Sequence, residues 1–389
     1  MRTPFILAVL FLAPLALADG IMFSKVEPIT GRPQATVDTP RQNVAFYVDG
    51  REITVVLSTH LAAGPADVAW LVPVPAEPRN VEPADTDFFT TLDAQTAPQF
   101  FQAHGYRSHY GCGCASEPDT ETVGPPPGVV VHSSGTAGSY AYKVISAPNT
   151  SVLTMWVTDN QYYLPPTAVP LLDMYVGRGY YWLAIRLRPD ARAAGPVAAH
   201  PFRYTYTADR LRFPLIISRM NTSGENEVVV HVIGDKSYAP VNFREEQLNT
   251  RRMELDASSP SGTSYERILR SAGPAFFVEF CAYVAMSSAQ PGRSIAPPVP
   301  GVNNERARVT RLHAVLSAAQ MTQDLELAPT DPRIIGRDFT LPPSSFRSKA
   351  AVPFVGLLLC SRLLPRKSRR WRLASSGLLT GSLLVLACV

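Results

Sequence analysis

The sequence predicts an α+β, strand-dominated fold: antiparallel sheets with short helices packed on one side, followed by C-terminal transmembrane segments. Three observations predict it. Short alternating apolar runs recur along the chain. Its 36 prolines in 389 residues bound many of those runs, which favours strands and loops over long helices. Residues 350–389 then carry two apolar pieces divided by a basic one.

The chain begins "MRTPFILAVLFLAPLALADG". Arg2, the apolar run Phe5 to Leu17 and the small-x-small triplet Ala16-Leu17-Ala18 form a secretory signal peptide over 1–18, cut after Ala18. The strongest local signal follows in "NVAFYVDGREITVVLST". Val44, Phe46 and Val48 alternate with Ala45 and Tyr47; Ile53, Val55 and Leu57 alternate with Thr54, Val56 and Ser58. Asp49-Gly50 between them predicts a hairpin with a two-residue turn. "ADVAWLVPVP" predicts a third strand, stopped by Pro73 and Pro75. Next, Asp85 is placed to cap a helix whose Phe88, Phe89 and Leu92 share a face, and Pro98 to restart a second turn.

The pattern breaks from Gly111 to Ser139, which reads as loop. "YAYKVISA" resumes as strand, followed by two short helices over 151–159 and 167–176. "YYWLAIRLRP", "FRYTYTA", "LRFPLIISRM", "NEVVVHVIGD" and "AFFVEFCAYV" read as strands. "ERARVTRLHAVLS" reads as a helix. The extracytoplasmic domain then spans 19–328, with a proline-rich linker over 329–349.

The tail comprises apolar 350–364, basic 365–372 and apolar 373–389. Each apolar piece is short against the roughly 20 residues of a spanning helix. A helical hairpin with its basic turn on the cytoplasmic side, a single span, and a removed sorting tag all fit. The formal net charge is +4. Without Arg2 and the six cations Arg362, Arg366, Lys367, Arg369, Arg370 and Arg372, about −3 remains on the rest. No basic stripe is left for nucleic acid. The expected partners are membrane lipid through the tail and a protein or envelope partner, in the cell membrane with the domain outside.

"HGYRSHYGCGCASE" concentrates the candidate chemistry. His104, His109, Cys112 and Cys114 could ligate zinc or copper, although H-x4-H-x2-C-x-C is no standard zinc spacing. In an oxidising compartment one pair among Cys112, Cys114 and Cys281 could instead form a disulfide; Cys360 and Cys388 lie in the apolar tail. A solvated loop is the third reading. No cofactor is expected beyond that metal alternative. No G-x-S-x-G, H-E-x-x-H or phosphate-binding loop appears. His60, His132, His200, His231 and His313 are scattered without visible partners. The expected role is a non-enzymatic binding or envelope module. A metal- or redox-dependent protein, and a hydrolase with residues gathered from distant strands, are the alternatives.

Several long blocks resemble a bacterial family, the domain of unknown function 2330. They include "VDGREITVVLSTHLAAGPADVAWLVPVPAEP", "YAYKVISAPNTSVLTMWVTDNQYYLPPTAVPLLDMYVGRGYYWLAIRLRP", "VVVHVIGD" and "VTRLHAVLSAAQMTQDLEL", in order across residues 44–327. The resemblance implies an exported or membrane-anchored bacterial protein and brings no activity or site residues. Members often carry "ACG" after the signal; here "ADGIMF" stands there, so no N-terminal disulfide is implied.

Overall fold

Strands that are apolar on both sides need cover on both faces, and this chain supplies it with a second sheet inside and helices outside. The computed structural model describes residues 20–34, 37–58, 68–101, 128–187, 201–285 and 306–342. One sheet has five antiparallel strands in the order β1–β4–β9–β8–β7: β1 (Ile21–Ser24), β4 (Val68–Val74), β7 (Val130–Ala137), β8 (Tyr140–Ser146) and β9 (Tyr181–Leu187). The other has eight, in the order β14–β15–β16–β12–β2–β3–β10–β5. These are β2 (Arg41–Asp49), β3 (Glu52–Ser58), β5 (Arg79–Pro83), β10 (Phe202–Thr207), β12 (Glu225–Gly234), β14 (Arg244–Gln247), β15 (Ala275–Ala285) and β16 (Arg306–Ser317). Its β12–β2 and β14–β15 pairs are parallel, so the sheet is mixed.

Val44, Phe46, Val55 and Leu57 of the larger sheet pack against Val72, Val144, Leu183 and Ile185 of the smaller in one buried core. Each such side chain contributes about 1.5–3 kcal/mol by leaving water. The outer face of the smaller sheet, with Leu71, Ile145 and Trp182, is covered by α2 (Thr150–Asp159) and α3 (Val169–Val176). The outer face of the larger sheet is covered by α1 (Phe88–Thr96), through Phe88, Phe89 and Leu92 on Ala45, Tyr47 and Val309. Beside it lies α5 (Tyr265–Ser271), grouped with Phe277 and Leu341. Helices therefore flank both sheets, where the sequence suggested one side. The turn α4 (Leu215–Ser218) and a three-stranded sheet, β11 (Leu211–Phe213), β17 (Leu325–Thr330) and β13 (Ser237–Pro240), complete the domain with a parallel pair, β6 (Gln99–Phe101) and β18 (Asp338–Thr340).

The β2–β3 hairpin forms as expected, but its turn is displaced by one residue. Asp49 pairs with Glu52, so Gly50-Arg51 is the loop, and only Gly50 has positive φ, at 58°. Glycine at the first central position of a two-residue hairpin loop meets that need. Pro73 lies inside β4 opposite Trp182 and does not end it. The stretch after Pro98 forms β6 and not a second helical turn. "VVHSSGTA", assigned to loop, is strand β7: at a sheet edge its polar residues face solvent without penalty. "PLIIS", read as strand, contributes the short turn α4.

The largest correction concerns "RARVTRLHAVLS", expected as a helix and found as β16, between β12 and β15. Its charges mimic a helical polar face. In a strand, alternation sends Thr310, Leu312 and Ala314 inward between the sheets, and Val309, Arg311 and His313 to the outer face. The stretch expected as linker is paired to the domain as far as it is described. Ile335 bridges Cys281, and β18 lies beside β6. Among the described residues no helix is long and apolar enough to cross a membrane. The signal stretch 1–18 and the tail 350–389 lie outside them.

Candidate functional site

The outer face of the larger sheet carries a buried cluster of charged side chains. Strand register assembles it. His231 of β12 stands opposite Arg311 of β16, and His313 lies two residues further on the same face. The β15–β16 register shifts between Val278 and Phe280, leaving Glu279 as the extra residue of a bulge. A bulge re-aims a side chain, and here it adds a carboxylate to the row. Arg41 of β2 pairs with Glu227 of β12 at the sheet's adjoining rows. α1 lowers Asp93 and Thr96 onto the cluster, and α5 supplies Tyr265.

The contacts interlock. Arg311 Nε is 2.7 Å from Glu279 Oε2, and its Nη1 donates to Asp93. His313 Nδ1 is 2.8 Å from Glu279 Oε1, and its Nε2 is 3.1 Å from Glu227 Oε1. The Tyr265 hydroxyl donates to Glu279 and sits 2.8 Å from His313 Nδ1. Arg41 reaches Asp93 at 3.4 Å and Glu227 at 3.7 Å. Glu279, Arg311 and His313 are buried, with side-chain exposures of 0%, 4% and 5%. Asp93, Glu227 and Arg41 form a rim about one third exposed.

Electrostatics follow from that geometry. Burial alone would raise the Glu279 carboxyl, yet His313 and Arg311 hold it at about 2. Glu227 is likewise held at about 2, against burial, by His313 and Arg41. His313, despite burial, is lifted to about 9 by Glu279 and Glu227. His231 goes the other way: burial and then Arg311 push it down to about 3. Arg41, Arg311 and His313 are therefore positive, Asp93, Glu227 and Glu279 negative, and His231 neutral. The cluster is charge-balanced within itself. Its acids and bases are committed to one another, an arrangement that rigidifies and orients strands and helices.

The other sequence candidates fall elsewhere. His104, His109, Cys112 and Cys114 lie outside the described residues, as do His60 and His200. Cys281 is a free, fully buried thiol, 3.3 Å from Ser237 Oγ and 3.6 Å from Thr310 Oγ1. His132 sits on β7, bonded to Ser146 at 2.7 Å. Asp85 accepts from the Asp87 amide at 2.9 Å, a turn ahead of α1 and not a cap inside it. Among the described residues no group of three or more His, Cys, Asp or Glu is placed to hold a metal ion.

Sequence reasoning missed the cluster as a unit. One signal was available: Glu279 and His231 each interrupt an otherwise apolar strand run. Such residues are rarely fully buried unless paired, so two such interruptions call for polar partners.

A family model described as an uncharacterized protein conserved in bacteria, DUF2330, matches residues 29–328. No curated protein matches the sequence. Among solved structures, a mutated baculovirus P35 after caspase cleavage shares 11% identity, over 74% of this chain and 99% of that one, with a TM-score of 0.32. Baculovirus P35 itself shares 10%, over 75% and 97%, with the same TM-score. A score that low does not establish a shared fold.

Proposed function

We propose, from the premise that the chain belongs to the DUF2330 family of uncharacterized bacterial proteins, that it is an exported, membrane-anchored binding or envelope-organising domain and not an enzyme. The observation that carries the reading is the charged cluster. Its histidines, carboxylates and guanidinium groups neutralise one another beneath α1 and α5, which suits a rigid scaffold better than proton transfer to a substrate. The signal stretch 1–18 and the two apolar pieces 350–364 and 373–389 support export and tethering, with the tail in membrane lipid. The partner is then a protein or another envelope component; the domain's acidic balance disfavours nucleic acid.

Cell fractionation combined with protease shaving tests this. The full chain is expected in the membrane fraction, beginning at Asp19, with its domain digested by protease added outside the cytoplasmic membrane. A chain recovered from the cytosol with Met1 to Ala18 retained would overturn it.

A further inference from the structure

Beyond its scaffold role, the cluster contains one arrangement that is stable in only one protonation state. The Arg311 Nη1 lies 3.0 Å from His231 Nε2. A guanidinium has only donors, so Nε2 must be the unprotonated, accepting nitrogen. The same Nη1 donates to Asp93 of α1, and His231 Nε2 lies 3.2 Å from Thr96 Oγ1 of α1. His231 Nδ1 is buried without a hydrogen-bond partner among the described residues. A proton added at Nε2 would place two donors and two positive charges head to head, at the point where α1 is fastened.

The fastening is asymmetric along the helix. Phe88, Phe89 and Leu92 anchor its first half in apolar contacts. Asp93 and Ala94 hold its second half through polar ones, Arg311 and Arg41 to Asp93 and Arg337 to the Ala94 carbonyl, while the Thr96 hydroxyl donates to Leu92 within the helix and rests beside His231. β6 follows directly and carries β18, the last described strand before the tail sequence.

We propose that α1 is an acid-released latch: protonation of His231 detaches the Asp93–Thr96 end, and β6 with it, while the sheet beneath stays folded. Arg311 of β16 and Arg41 of β2 oppose its protonation; Asp93 of α1, at 4.0 Å, and Glu279 of β15 favour it. The two cations and burial prevail while the latch is closed. Once it opens, water reaches the ring and its affinity for protons rises toward the ordinary histidine value of about 6.5, opposed by Arg311 and Arg41, which stay on the sheet. Linkage then makes the open form more populated, by up to about tenfold per pH unit, as pH falls below about 6. The latch is independent of the export reading, because it is a property of the chain wherever it resides.

Hydrogen–deuterium exchange of the purified full chain, corrected for intrinsic exchange rates, tests the latch between pH 7 and 4. Protection over residues 88–101 is expected to fall by up to about tenfold per pH unit below about 6, and to lie at every pH well below that of residues 225–234 and 306–317, which exchange only through global unfolding. His231→Gln, which keeps an acceptor for Arg311 but cannot titrate, should abolish the slope. Protection in 88–101 equal to that of the two strands, no pH dependence in 88–101, or an unchanged slope in His231→Gln would each overturn the proposal. If His231→Gln does not fold, the wild-type comparison of helix with strands decides alone.

Discussion

Replacing Arg311 with Met removes the cation that two carboxylates share. Glu279 has no solvent exposure, and Arg311 Nε lies 2.7 Å from it. Asp93, at 29% side-chain exposure, can turn to water when its partner goes. Glu279 cannot: His313 and Tyr265 still hold its Oε1, but Oε2 is left buried without its partner, so most of the loss comes from it. Breaking one side of a buried ion pair costs about 3–5 kcal/mol. Against a domain stability of roughly 5–15 kcal/mol, that is a large share. Removing both charges, in Arg311→Met with Glu279→Leu, leaves no stranded carboxylate, and His313 keeps Glu227 at 3.1 Å. The double variant should therefore be more stable than Arg311→Met alone. Urea unfolding at pH 7 measures both, with an unchanged slope showing that the same surface is exposed. A loss under about 1 kcal/mol in Arg311→Met, or a double variant at the sum of the singles, would show that Glu279 does not depend on Arg311.

Two further outcomes follow from the same cluster. Stability should peak near pH 6.5 and decline on both sides. On the alkaline side, the raised His313 stabilises fully below its unfolded value of 6.5, and that contribution, about 3 kcal/mol, is lost as pH rises through about 9. On the acid side, the depressed His231 makes the unfolded chain take up the proton first, so stability falls from 6.5 toward about 3; Glu279 and Glu227 add their loss between 4.5 and about 2. Denaturant midpoints across pH 3 to 10 check the shape, and a profile flat from 6.5 to 9 would contradict the His313 assignment. Tyr265→Phe removes a buried hydroxyl donor from Glu279 and should cost about 1–3 kcal/mol in the same assay, with Phe100 still packed on the ring.

Much of the sheet architecture was legible because alternation is local. Val44, Phe46 and Val48, or Ile53, Val55 and Leu57, announce a two-faced strand within a few residues. The strand β16 was not legible, because Arg311 and His313 look solvent-facing until their partners are known. Those partners are Glu279 and Asp93, 32 and 218 residues away from Arg311. The parallel β12–β2 pair and the strap through Ile335 are equally non-local. The placement of Glu279 depends on a bulge whose existence only the β15–β16 register reveals. A sequence reading sees each charge singly, and only the fold brings them onto one row.

One cluster holds two histidines, His231 and His313, in opposite protonation states. Nitrogen-15 NMR of the imidazole rings, titrated from pH 5 to 10, measures it directly. His313 should be doubly protonated at pH 7 and lose its proton near 9, while His231 stays neutral throughout, with the proton on Nδ1 and Nε2 accepting from Arg311. Two rings titrating together near 6.5 would contradict this division of charge.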